Sequence, residues 1–290
     1  MSAPAALAVI AALASATPGF SVPFLNPTEN GGHVVVAADV GRVRAVPTLL
    51  DTGDAAPYAI VLSPSLSARA GARPASRWFT TNGAIGSAAI TFRTVTLDRV
   101  RLGSLVLRRP SAADSPAVDT ASRGLSLGFR AVIGSVFLSR HRVAIDYTAR
   151  RVTFDGPAPR AAPVPFVFAR SRPAVIVQVR VNGAGPFAFV LDTGAGSTVL
   201  SSAAARTAGV ARGRSVALYG AGGRAAGSLA TVREIAVGSA RRRTMHVVIS
   251  DALHGAEQAV GTRLDGVLGA SFFGDRRLTI DYPQKKVWIE

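Results

Sequence analysis

Two short stretches of this chain place an acid where an acid is costly. Asp51-Thr52-Gly53 ends the apolar approach Thr48-Leu49-Leu50, and Asp192-Thr193-Gly194 ends Phe189-Val190-Leu191, 141 residues further on. A carboxylate at the end of a buried strand is unfavourable unless hydrogen bonds hold it. Two equivalent carboxylates face to face cannot both ionise easily, so they share one proton. Such a pair can hold a water, take its proton with the ionised member and donate one from the other. Asp51 and Asp192 are therefore the candidate catalytic residues.

Other chemistries find no support in the residues. There is no Gly-x-Ser-x-Gly elbow for a serine nucleophile and no phosphate-binding Gly-x-x-x-x-Gly-Lys. His33, His141, His246 and His254 are scattered without metal-ligand spacing, so each reads as structural or solvated and no metal is expected. Gly220-Ala221-Gly222-Gly223-Arg224-Ala225 is close to a dinucleotide fingerprint. It lies in a hairpin pattern with no helix after it, which argues against that use.

A lone Asp-Thr-Gly is an ordinary strand-end turn, but here the surroundings repeat as well. Val34–Gly41 matches Val175–Asn182 at an offset of 141, and Ala131–Tyr147 matches Gly266–Tyr282 at an offset of 135. One unit is used twice, and each use supplies one aspartate.

On both Asp-Thr-Gly loops and both apolar-apolar-Gly motifs, Ile133-Gly134 and Leu268-Gly269, residues 30–290 resemble the aspartic peptidases. The resemblance is to the retropepsin-like and pepsin-like clan in its single-chain, two-lobed form. It implies an all-β fold of two pseudo-symmetric acid-protease-like β-barrel lobes with an active-site cleft between them. It implies an aspartic endopeptidase acting on peptide or protein substrates, with no cofactor. Since one chain holds both aspartates, a monomer suffices. In such a protein Thr52 and Thr193 brace the two loops against each other, and Gly53 and Gly194 permit the loops to turn. The rival reading is a catalytically inactive lobe pair that binds peptides or an envelope component.

The elements that must position these residues read in parallel. His33–Val40 and Val43–Leu50 form a hairpin that delivers Asp51, and its counterpart turns at Asn182-Gly183. Ser63-Pro64 opens a short helix that Gly71 ends, and Ser201-Ser202 and Gly209 do the same later. Tyr219-Gly220-Ala221-Gly222-Gly223 tips a second hairpin, which by resemblance is the flap over bound substrate. Trp78, at the same distance from its own aspartate, marks its partner in the first lobe. Asp54 departs from the pattern, since the family places a small residue there. It either faces the cleft as a third carboxylate or caps the turn.

Length allows two lobes: residues 20–154 and 166–290, joined by the Pro/Ala-rich linker 155–165. With 48% hydrophobic and 17% charged residues the chain is globular rather than disordered. Cysteine is absent, which excludes disulfides and thiol chemistry. The net charge of +16 comes almost wholly from arginines scattered between apolar residues. That pattern predicts weak attraction to anionic surfaces and no specific nucleic-acid binding. The apolar run Ala5–Ala16 ends in Ala14-Ser15-Ala16 and reads as a signal-peptide core with its cleavage site. We expect residues 1–19 to be a leader and the protein to be exported, periplasmic or secreted. The run is too short to span a bilayer, and no transmembrane segment is expected.

Overall fold

The computed structural model describes residues 19–25, 32–54, 56–83 and 88–290. The expected leader, residues 1–19, therefore lies outside the described residues apart from Gly19. Most of the regular structure is β, with a few short helices. Three sheets account for it: one from the N-terminal half, one from the C-terminal half and one shared.

Each half is built around the strand that carries its aspartate. Val35–Val40 turns back into Val43–Leu50, and Val175–Val181 turns through Asn182-Gly183, both with positive φ, into Ala184–Leu191. The carrier strands are buried at their last three positions, as continuous apolar ends require. Ala131–Ile133 lies parallel to Thr48–Leu50 and antiparallel to Ile60–Leu62, so it threads between the carrier strand and Ile60–Leu62. In the second half, Gly266–Leu268 lies parallel to Phe189–Leu191 and antiparallel to Val199–Leu200. A further pairing of Val175–Val181 with Gly223–Val237 closes that sheet into a barrel.

The short helices follow their caps. Ser63 accepts from the Leu66 amide ahead of Pro64–Ala70, and Gly71 ends that helix at φ 75°. Ser201 accepts from the Ala204 amide ahead of Ser202–Thr207, and Gly209 follows with φ 62°. Two further helices, Pro116–Gly124 and His254–Val260, stand at corresponding places in the two halves.

The shared sheet joins the halves. Its centre is the antiparallel pair Arg142–Asp146 and Arg277–Asp281, one strand from each half. Arg151–Phe154 and Lys286–Ile289 flank them, and Phe20–Pro23 and Val164–Pro165 lie at the two edges. The main hydrophobic core runs from Val22 through Tyr147 to Phe272, Tyr282 and Val287 without a break between halves. Two smaller clusters back it, one around Phe129 in the first half and one around Val190 in the second.

Candidate active site

The carrier strands end side by side, and their loops bind each other across the halves. The Thr52 amide donates to Thr193 Oγ1 (3.1 Å), and the Thr193 amide donates to Thr52 Oγ1 (3.0 Å). Each hydroxyl then donates to a carbonyl of the opposite carrier strand, Thr52 to Leu191 and Thr193 to Leu50, both at 2.9 Å. Both threonines are fully buried, so the four bonds form in a low-dielectric setting where a missing partner is expensive. The Asp51 amide donates to the Ile133 carbonyl and the Asp192 amide to the Leu268 carbonyl, which ties each loop to the neighbouring apolar strand.

This brace brings the Asp51 and Asp192 carboxyl groups within hydrogen-bonding reach of each other. Each residue is only part-buried and so keeps contact with solvent. Burial pushes the Asp51 carboxyl well above the usual range, and the charges of Asp192 and Asp54 add to that. Burial also raises Asp192, against hydrogen bonds that hold it down. Together they form a pair that retains a proton where isolated carboxylates have lost theirs.

Gly53 and Gly194 serve a different purpose from the one their sequence context suggests. Neither has a positive φ, so the turn does not demand glycine. What demands it is the opposite acid. A Cβ on Gly53 would collide with the Asp192 carboxyl group, and one on Gly194 with that of Asp51. The missing side chains are the space in which the carboxylates meet.

Of the two sequence readings of Asp54, the turn cap is the one observed. Its Oδ1 accepts from the Ala56 amide (3.0 Å), which caps the turn. Its Oδ2 is buried beside Gly134 without a hydrogen-bond partner, and its charge reaches the pair. Burial raises its carboxyl to about 6, with Asp192 contributing and the Arg172 guanidinium opposing.

The hairpins also form where the glycines and aromatics indicate. Ser215–Gly220 pairs with the start of Gly223–Val237, with Gly220 opposite Gly223. Arg73–Asn82 pairs with Ala89–Thr96, with Trp78 opposite Arg93. Trp78 and Tyr219 are exposed, at 65% and 61%. The hairpins meet, since the Ala88 amide donates to the carbonyl of buried Gly222 (3.1 Å). Each also packs against the other half's helix: Ser215–Gly220 on Pro116–Gly124, and Arg73–Asn82 on His254–Val260. Arg172, from the C-terminal half, lies over the Phe79 ring (5.8 Å). A groove of about 410 Å³ runs along the second hairpin, lined by Ser215–Ala217 and Arg224–Gly227.

Residues 177–272 match the family model described as aspartyl protease. Among solved structures, an aspartic proteinase from Irpex lacteus superposes with a TM-score of 0.58 at 14% identity, covering 93% of this chain and 96% of that one. The basic 7S globulin from soybean superposes with a TM-score of 0.51 at 13% identity, covering 94% and 95%. This chain has the pepsin-like aspartic proteinase fold. At these identities the likeness is one of architecture, and no curated protein sequence matches the chain.

Several residues around the two acids escaped the sequence. His33 is buried and hydrogen-bonded to the Thr193 backbone, and burial pushes its imidazole down, so it is a neutral strut between the halves. Tyr147 and Tyr282 put buried hydroxyls, both pushed up by burial, within electrostatic reach of Asp192 and Asp51 respectively. Their repeated Asp-Tyr context was a readable signal of equivalence, but nothing local connects them to the acids. Arg172 has no counterpart in the repeat and gave no signal.

Proposed function

We propose that the protein is an aspartic endopeptidase in which Asp51 and Asp192 hold and activate the water that hydrolyses a peptide bond. The observation that carries this reading is the mutual reach of two part-buried carboxyls whose loops are locked by the reciprocal threonine bonds. A water between the acids loses a proton to the ionised carboxylate as it attacks the scissile carbonyl. The protonated partner donates to the carbonyl oxygen, and the proton taken from water later reaches the leaving amine. The chain's own part is to hold the acids in place, so that no reorganisation is needed when charge develops.

In this reading residues 20–154 and 166–290 are the lobes and 155–165 the linker. Thr52, Gly53, Thr193 and Gly194 hold the acids together, and the hairpins bearing Trp78, Tyr219, Gly220, Gly222 and Gly223 cover the peptide. The enzyme acts as an exported monomer. Among the described residues no helix is long and apolar enough to cross a membrane.

The test is cleavage of a peptide library across pH. Wild-type protein is expected to cleave and to be inhibited by a statine-type transition-state analogue. Asp51→Asn and Asp192→Asn should each lower kcat/KM by about 10⁴-fold or more. Cleavage that survives either substitution would overturn the mechanism, and no wild-type cleavage at any pH would leave a peptide-binding lobe pair.

A further inference from the structure

The two acid loops are near copies, and the place where they differ bears on where the proton sits. In the second loop, the Gly194 and Ala195 amides both donate to Asp192 Oδ1, at 2.8 and 3.0 Å. In the first, among the described residues, only the Gly53 amide donates to Asp51 Oδ1 (2.9 Å), and the Asp54 amide, the counterpart of the Ala195 amide, is directed at the Asp51 main-chain carbonyl instead (3.4 Å). A carboxylate with two amide donors is held in its charged form more firmly than one with a single donor.

The same position adds a charge. Asp54 stands where the second loop has Ala195, and it occupies space that exists because Gly134 has no side chain. Its main-chain carbonyl accepts from Ser135 Oγ (2.8 Å), so the residue is fixed from both ends. The equivalent Gly269 is instead filled by the Ser197 and Ala195 carbonyls, which leaves no room for an acid in the second half.

We propose that Asp54 is a third acid of this site, one that keeps the shared proton on Asp51, leaves Asp192 as the charged base, and carries the singly protonated pair toward neutral pH. The assignment rests on the peptidase reading for its catalytic meaning. The placement of the proton stands on the loop geometry alone.

The groups facing these acids are consistent with it. The positive charge of Arg172, from the C-terminal half, favours ionisation of Asp54. The Tyr147 and Tyr282 hydroxyls remain neutral phenols, and the His33 imidazole stays uncharged. The sign follows directly. Below about 6 Asp54 is protonated and has little influence. Above that it is charged, and a new negative charge opposes loss of the pair's last proton. The alkaline limb of activity therefore moves up.

The experiment pairs pH–rate profiles with a readout that needs no turnover. Protein labelled with ¹³C at the aspartate carboxyls is titrated by NMR, as wild type and as Asp51→Asn, Asp192→Asn, Asp54→Asn and Asp54→Ala. Asp54→Asn keeps both volume and cap, and Asp54→Ala controls for the cap. The carboxyl still protonated at the highest pH should be missing from the Asp51→Asn spectrum. Both Asp54 variants should lower that carboxyl's midpoint, and the alkaline limb of kcat/KM, by about one pH unit. An unchanged midpoint in folded Asp54→Asn, or a last-titrating wild-type carboxyl that is assigned to Asp192, overturns the proposal. If the NMR shifts occur but no peptide is cleaved, the peptidase reading fails and the proton assignment stands.

Discussion

At the residue scale, the site is made as much by missing atoms as by present ones. Gly53 and Gly194 face each other's acids, and Gly134 houses Asp54. Gly194→Ala is expected to fold, because its backbone is open to any residue, yet to force the Asp51 loop away. A displacement of about 1 Å in such a pair costs about 100-fold in rate. Steady-state kinetics alongside a urea titration would separate the two effects, and a variant with full kcat/KM would refute the steric argument. The acids themselves were legible, because strand, turn and Asp-Thr-Gly occur together twice. The reason for the glycines was not, because the atoms that exclude a Cβ lie 139 and 143 positions away in the chain.

At the element scale, each half keeps its own hairpins but covers them with the other half's helix. The hairpin strands were readable from turn chemistry and alternation. Pro116–Gly124 was not anticipated from the sequence, although Ser115-Pro116 repeats the pair that opens Pro64–Ala70 and Ser115 accepts from the Ala117 amide. His254–Val260 has no side-chain cap at its start, so only Gly261, at φ 67°, marks it. Its role against Arg73–Asn82 is a contact between distant segments, which propensity does not encode. If the hairpins hold substrate, Trp78→Ala and Tyr219→Ala should each raise KM several-fold with a smaller change in kcat. Both side chains are mostly exposed, so the urea midpoint should stay within about 0.5 kcal/mol of wild type. A kcat loss with unchanged KM would remove these side chains from substrate binding.

At the scale of the whole molecule, the halves are held at the loops by the threonines and on the shared sheet by a charge. Arg142 Nε donates to Asp281 Oδ2 (2.7 Å), and Asp281 is only 2% exposed. Arg142→Met removes the cation and strands a buried carboxylate, which costs about 3–5 kcal/mol. The low end is expected, because the Gln284 amide still donates to Asp281 Oδ1. Equilibrium denaturation should show the loss, and an unchanged midpoint would mean the ion pair contributes nothing to joining the halves. By itself, the sequence showed that an apolar stretch ends on Asp-Thr-Gly twice, and that helix and hairpin signals follow each in matching order. Those are local matters of periodicity, turn residues and caps, which a linear string records. Only the tertiary structure decided that the loops lock across the interface, that the acids come within reach of one proton, and that Asp54, Arg172 and two buried phenols surround them. Such relations arise from close packing between segments that share no neighbours in the chain, and the electrostatic consequence of an acid depends on what that packing puts beside it.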